Sequence, residues 1–264
     1  MIIHTYLTDG MLDWGPVFLD SYKKHNGENV PIIISTRDLK NKQIKRLYNH
    51  YSNLEIRNKN IDYNYLSKRM GLPTSQIKQY KKEIEHGNVN KNNKIWKQYI
   101  SVEDRYRDSI VDVMDDYIGT EHSHMMHIDI DMYFRDSLQE LFEIIENNDI
   151  SIKFRIKEKK KKFQNDNRKV LGSIIGFKLD ERVREFMEVW RKHIDNLHLT
   201  EKKKGYGQAS FYYAYLDTKD KYKWGQIGKH YATPNQQKNA IIWAGNRGEK
   251  DKNLNIFKED SQNG

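Results

Sequence analysis

The sequence contains no cysteine, which excludes disulfide bridges and thiolate metal sites and fits a reducing, cytoplasmic setting. It also lacks any apolar run approaching the roughly 20 residues that cross a bilayer, so no transmembrane segment is expected. The apolar opening "IIHTYLT" is only strand length, has no cleavage site and runs into a turn at Asp9-Gly10, so it does not read as a signal peptide. No internal repeat is visible. Hydrophobic residues reach only 37%, yet seventeen tyrosines and five tryptophans supply large apolar faces. Acidic residues are outnumbered, 37 against 46 basic ones. The resulting charge of +9 favours anionic partners without choosing among nucleotide phosphates, acidic glycans, nucleic acid or a membrane face. With 264 residues the chain can bury a full core.

Strand and helix patterns alternate through the first third. "MIIHTYLT" reads as a strand, Leu12 to His25 as a helix, and "VPIIIST" as the continuous apolar run of a buried parallel strand. "LKNKQIKRLYNHY" is helix-like and "NLEIRN" is a short third strand. This order predicts an α/β chain with a doubly wound, mostly parallel sheet flanked by helices. Lys59 to Asn93 is polar, without a strong period, and reads as helical insertions at the sheet edge. From Lys94 to Ile118 apolar residues recur every three or four positions, predicting an amphipathic helix whose charged face carries Lys97, Arg105 and Arg107. Further on, "DSLQELFEIIENN" predicts a helix capped by Asp136. "DISIKFRI" and "VLGSIIGF" predict strands around a charged loop, and Glu181 to Leu197 predicts an amphipathic helix. "GYGQASFYYAYL" predicts a helix start, and the remaining tail reads as mostly loop.

The chemistry concentrates in "HMMHIDIDMYF", where Asp129 and Asp131 stand one residue apart at the end of an apolar strand. Strand alternation turns both carboxylates, and His127, one way, and Ile128 and Ile130 the other. Two carboxylates so close repel unless a cation or water separates them. Hard Mg²⁺ or Mn²⁺ ions take such oxygen ligands and leave positions open for a substrate's phosphates. The carboxyl edge of a parallel sheet is also where such folds bind ligands. A lone D-x-D is common by chance and in most sequences is solvated charge. Here its apolar flanks weigh toward a metal site, because burying unpaired charge costs several kcal/mol.

"HIDIDMYFRDSLQEL" resembles the D-x-D segment of GT-A glycosyltransferases, and in particular family 8, the retaining galactosyl- and glucosyltransferases. "DRYRDSIVDVM" resembles that family's helix before the D-x-D strand, and "YLTDG" its first strand and nucleoside-binding turn. The resemblance implies a Rossmann-like nucleotide-diphospho-sugar transferase domain over residues 1–264, with a nucleotide-binding half (1–135) and an acceptor-binding half (136–264). It implies a nucleotide-sugar donor, most simply a UDP-sugar, a glycan or other hydroxyl acceptor, and Mn²⁺ or Mg²⁺ as cofactor. Asp129 and Asp131 would bind the metal, with Asp129 also on the ribose. Thr8 and Asp9 would line the nucleoside pocket, Arg105 or Arg107 would lie near the donor sugar or diphosphate, and Ile130 belongs to the same donor-binding segment. Gln208 stands where the family places an Asp-Gln pair beside the reacting carbon, with Gly207 at the aspartate position. The family's His-x-x-Gly-x-x-Lys segment is matched at Lys250, with Arg247 nearby, while Ala244 stands in place of the histidine. Water and phosphate, or His230 from "GKHY", would then complete the metal, or the likeness is to GT-A enzymes more broadly.

Other features carry less chemistry. The run Lys153 to Lys162 reads first as a solvated loop, with a basic lip for an acidic acceptor as the functional alternative. Base-stacking aromatics are not interleaved with it, so no nucleic-acid partner is expected. His122 and His124 read as turn residues and His127 as a residue behind the metal site. Tyr212, Tyr213 and Tyr215 read as core and surface aromatics, Tyr206 as a possible acceptor contact. Ser173, in a tight glycine-flanked strand, is a candidate for a donor hydroxyl. No acidic residue of the second half stands out as a base for an inverting reaction, which favours retention. The rivals are a nucleotidyltransferase or other metal-dependent phosphoryl-transfer enzyme, which needs a third acidic ligand on a neighbouring strand, and a non-catalytic basic sugar-binding or scaffold protein.

Overall fold

The computed structural model describes residues 1–37, 39–85, 109–154, 170–200, 206–232, 239–245 and 250–263. Strands β1 (Ile2–Leu7), β2 (Ile32–Arg37), β3 (Leu54–Lys59) and β4 (His124–Ile128) lie parallel. They continue through β7 (Val170–Lys178), β6 (Ile150–Phe154) and β8 (Trp224–Gln226) into one seven-stranded sheet ordered β3-β2-β1-β4-β7-β6-β8. Only β7 runs against the rest, antiparallel to β4 and β6. A separate two-stranded sheet joins β5 (Met132–Phe134) to β9 (Ile242–Ala244).

The central strands are apolar on both faces because helices cover both. One face sets Ile3, Leu7, Ile32, Ile34, Met126 and Ile128 against α1 (Trp14–Asn26), α2 (Asn41–Tyr48) and α6 (Gln139–Glu146). The other sets Ile2, Ile33, Met125, Ile175 and Phe177 against α5 (Ile110–Tyr117), α7 (Glu181–Thr200) and α8 (Tyr206–Thr218). Trp190 of α7 is buried there with its indole N–H donated to Ser210 Oγ at 3.0 Å, so the polar end of a large apolar ring is satisfied. Gly176 of β7 lets α6 lie close, since a Cβ there would stand 2.6 Å from Ile145 Cγ1.

The polar stretch after β3 forms α3 (Tyr63–Met70) and α4 (Thr74–Glu85). Asp62 caps α3 by accepting from the Tyr65 N–H at 2.9 Å. Of the amphipathic helix expected over Lys94–Ile118, α5 is the described part. Two expectations are corrected. Asp136 does not cap α6, which begins after Leu138; it accepts from the Ser137 N–H, while Asn26 at the end of α1 takes the Leu138 N–H at 2.7 Å. The tail is not mostly loop, because β8, β9 and a terminal helix α9 (Lys250–Asn263) are built from it. α9 packs through Leu254 and Phe257, and the Phe257 ring stacks on Tyr133 at 4.8 Å and on Trp243 at 5.6 Å.

Candidate active site

The chain builds β1, β2 and β3 outward to one side, then returns to lay β4 against the inner edge of β1. That reversal makes the carboxyl ends of β1 and β4 the switch point of the sheet, the position where open α/β sheets bind ligands. Thr8 and Asp9 follow β1 directly, and Asp129 to Asp131 follow β4. The sequence places all of them in the strands or their turns, and the fold gathers them at one edge.

The paired carboxylates are not in the strand itself. β4 ends at Ile128, and Asp129, Ile130 and Asp131 form the turn that leads into β5. The turn is pinned at both ends. The Asp129 N–H donates to the Ser173 carbonyl of β7 at 2.9 Å, and the Asp131 carbonyl accepts from the Gly245 N–H at 2.6 Å. Ile130 is buried in the core at 4% exposure, which leaves only its backbone for a ligand. Both aspartates are half-buried, and Asp129 Oδ1 lies out of solvent.

Gly245 fits against this turn as only a glycine can. A Cβ there would stand 2.7 Å from Trp14 Cη2, 3.0 Å from the Asp131 carbonyl oxygen and 3.1 Å from Asp131 Cβ. Trp14, at the start of α1, is itself buried and meets Phe257 edge-on at 5.7 Å. The stack of Tyr133, Trp243 and Phe257 thus backs the corner that carries Asp131, with the Arg135 guanidinium 4.0 Å above the Trp243 ring. Behind Asp129, His127 is fully buried. Its Nδ1 lies 3.0 Å from His4 Nδ1, and His4 Nε2 lies 2.9 Å from Ser35 Oγ, a polar chain linking β4, β1 and β2.

Two hard carboxylates at a strand-end turn suit Mg²⁺ or Mn²⁺. Among the described residues no three His, Asp or Glu side chains are grouped to hold a metal. His230 is therefore not joined to the aspartates; it is exposed, with its carbonyl accepting from the Ile241 N–H at 3.0 Å. His124 is corrected from a turn to the first residue of β4, where burial lowers the pKa of its imidazole. Ser173 meets Asp129 through its carbonyl. Gln208 is half-buried in the first turn of α8, which packs on β7, and Lys250 opens α9. Arg105, Arg107, Arg247 and the lysine run beyond Phe154 lie outside the described residues.

Sequence reasoning missed Trp14 and Gly245, and it read Lys153 as the start of a solvated run, whereas Lys153 lies in β6 and is part-buried. A register shift in β6 between Ile152 and Lys153 re-aims that side chain. Its Nζ donates to the Tyr231 carbonyl at 2.6 Å, with the Lys229 and Ala232 carbonyls at 3.4 and 3.5 Å. Burial lowers its pKa. Ala232, the only non-glycine with positive φ (53°) among the described residues, thus has its strained turn held by one ammonium. That turn connects through the His230 carbonyl to β9 and so to Asp131.

Comparison with solved structures points the same way as the topology. All of the chain matches 96% of a galactosyltransferase, LgtC, in complex with donor and acceptor sugar analogs, at TM-score 0.63 and 10% identity. Of mouse xyloside xylosyltransferase 1 in apo form, 98% is matched by 94% of this chain, at TM-score 0.52 and 11% identity. Of the glycosyltransferase GlyE in Streptococcus pneumoniae TIGR4, 59% is matched by 98% of this chain, at TM-score 0.56 and 10% identity. No family model matches the sequence, and neither does any curated protein. At these identities the likeness is one of fold. The chain has the GT-A fold and resembles in architecture the family 8 structure of LgtC.

Proposed function

We propose that this chain is a metal-dependent glycosyltransferase that moves a sugar from a nucleotide sugar, a UDP-sugar by expectation, to a glycan or other hydroxyl acceptor with retention of configuration. The observation that carries this reading is the placement of Asp129 and Asp131 in a pinned turn at the sheet's switch point, beside Thr8 and Asp9. The GT-A fold supports it. A two-metal phosphoryl-transfer enzyme needs a third acidic ligand on a neighbouring strand; β7 meets Asp129 at Ser173, and among the described residues no third His, Asp or Glu is grouped with the pair.

Asp129 and Asp131 would hold Mn²⁺ or Mg²⁺ in this reading, with Thr8 and Asp9 against the nucleoside. Bound there, the ion supplies positive charge against the diphosphate as its bond to the anomeric carbon breaks. Lys250 and Arg247 would add charge of the same sign where the leaving group becomes more negative. Arg105 or Arg107 would orient the donor, and the Gln208 side-chain carbonyl would face the electron-poor anomeric carbon. Fixed dipoles and charges of this kind act without reorganising at the moment of reaction. The half 136–264 would then bind the acceptor, with the lysine-rich run favouring an acidic one.

Thermal shift with UDP, GDP and CMP, each with and without Mn²⁺, tests the reading. Stabilisation by UDP that requires Mn²⁺ is expected, and Asp131→Ala should remove that metal-dependent part while the far-UV spectrum stays unchanged. Indifference to every nucleotide would replace it with a non-catalytic scaffold. Slow hydrolysis of a UDP-sugar with Mn²⁺ in the absence of acceptor would report the chemistry itself.

A further inference from the structure

We propose that Lys153 is a positioning residue for the aspartate turn (residues 129–131), acting from β6 through the turn at residues 229–232 and then through β9. The inference rests on the glycosyltransferase reading for what the aspartate turn binds, and it adds a residue on which the placement of that turn depends. A lysine ammonium carries three N–H donors. Lys153 Nζ donates to the Tyr231 carbonyl at 2.6 Å, and the Lys229 and Ala232 carbonyls stand at 3.4 and 3.5 Å. Three carbonyl dipoles of one short turn therefore point at one cation. Without the ammonium they repel one another, and the acceptors of two residues that are 2% and 5% exposed, Tyr231 and Ala232, lose the partner that replaces water. The turn also keeps Ala232 at φ 53°, a left-handed conformation that disfavours a residue with a Cβ. Backbone in such a state persists where its surroundings hold it. Here the Tyr231 hydroxyl is tied to Glu140 of α6 at 3.3 Å, and the backbone is tied to Lys153, which the register shift in β6 aims at the turn.

What the turn holds is the strand that closes on the site. The His230 carbonyl, in the middle of the turn, accepts from the Ile241 N–H at 3.0 Å, and the Ile241 carbonyl accepts from the Arg135 N–H, at the end of β5, at 2.9 Å. β9 then runs antiparallel along β5, with Ile242 opposite Phe134 and Ala244 opposite Met132. One residue further, the Gly245 N–H reaches the Asp131 carbonyl at 2.6 Å. A pair of three-residue strands is weak by itself, so the bonds at its two ends set where β9 lies. Gly245 packs closely enough on the aspartate turn that a Cβ would stand 3.0 Å from the Asp131 carbonyl oxygen, and a shift of β9 is passed on to Asp131. A lysine that acts in this way changes the affinity of the folded protein for its ligand. One that only stabilises the fold changes the fraction folded and leaves that affinity alone.

The full chain and its Lys153→Met variant are compared by amide hydrogen exchange without ligand, and by titration with UDP or GDP at saturating Mn²⁺, at a temperature where the far-UV spectrum shows both folded. Exchange in the variant should be faster over residues 239–245 and 129–132 and unchanged in β1 and β2. Its affinity for the nucleotide that wild type binds should fall by about 2- to 30-fold, the span for residues that act on a site through packed neighbours. Ala232→Gly, which relieves the positive φ, should recover part of that loss in the Lys153→Met background. Gly245→Ala disturbs the same corner directly, so its combination with Lys153→Met should be less impaired than the two losses added. If Lys153→Met does not fold, Lys153→Gln, which keeps two N–H donors without the charge, takes its place. Wild-type affinity in the folded variant, whatever its melting temperature, would overturn the inference, as would unchanged exchange over the two segments or strict additivity with Gly245→Ala. Failure of wild type to bind either nucleotide would instead sink the reading on which the inference rests, and the exchange rates would still decide whether Lys153 holds the turn.

Discussion

Replacing Gly245 by alanine adds one methyl group at the most crowded point of the site, and its effect can be worked out from three distances. The new Cβ would meet Trp14 Cη2 at 2.7 Å and the Asp131 carbonyl oxygen and Cβ at 3.0 and 3.1 Å. Carbon atoms in favourable contact sit about 3.5–4.0 Å apart, so roughly 1 Å of separation must be found. The indole is backed by Phe257, so the displacement falls on β9 and the Asp131 turn. Overpacking of this kind costs about 1–3 kcal/mol. At about 2–4 °C per kcal/mol for a chain of this size, the melting temperature should drop by about 2–12 °C. Positioning is more sensitive than stability, and an error of about 1 Å in a reacting constellation can cost about 100-fold in rate. Gly245→Ala should therefore lose most Mn²⁺-dependent UDP stabilisation and donor hydrolysis while still folding. Adding Trp14→Phe, which removes the atom met at 2.7 Å, should restore part of both, giving a double variant less impaired than the two effects added. A variant with unchanged melting temperature and nucleotide response, or strict additivity in the cycle, would refute the steric account.

Lys153→Met removes the ammonium that holds the Tyr231, Lys229 and Ala232 carbonyls, and should cost about 1.5–3 kcal/mol by urea denaturation, the range for hydrogen bonds to a charged group. Because burial lowers the Lys153 pKa, the unfolded chain binds the extra proton, so the advantage of wild type over Lys153→Met should grow as pH rises from the folded value toward about 10.4. Burial raises the pKa of Tyr22, Tyr51 and Tyr231, with help from Tyr51, Glu28 and Glu140 respectively. Their contribution is thus complete below the unfolded tyrosine pKa of about 10 and is lost above it. Absorbance at 295 nm should show these three ionising together with the collapse of the far-UV spectrum, and early, independent titration would contradict their burial. Gly176→Ala should destabilise by about 1–3 kcal/mol through Ile145, and the added methyl should cost little in an Ile145→Ala background, where the two atoms it meets at 2.6 and 2.7 Å are gone.

The parallel half of the fold is legible in the sequence because its signal is local. β1 and β2 are buried on both faces, so they appear as mostly apolar segments without strict polar alternation, and the helix between them, α1, is marked off by the turn after β1. Strand direction is not local. The residues Val170–Lys178 read as a strand either way, and only pairing with β4 and β6 makes it the one antiparallel member. The terminal helix escapes for a related reason. Leu254 and Phe257 are too few to mark an apolar stripe, and what buries them is an aromatic stack on Tyr133 and Trp243, from other parts of the chain.

The same distinction explains what could be seen of the site. Asp129 and Asp131 announce themselves because two charges interrupt an apolar run, a contrast contained within ten residues. Their exact setting does not, since alternation extended the strand over a turn that only the bonds to Ser173 and Gly245 define. The glycine after "IIWA" is a local sign of close backbone approach, but nothing near it says that the approaching atoms belong to Trp14 and Asp131. Those contacts join the first helix, the central turn and the last strand, more than a hundred residues apart at each step. A carboxylate can be read from the residue that carries it, whereas a close contact of this kind is a property of three segments at once. The acid pair was therefore visible in one dimension, and the packing that fixes its turn appears only when Gly245 is found against Asp131 with no space for a side chain between them.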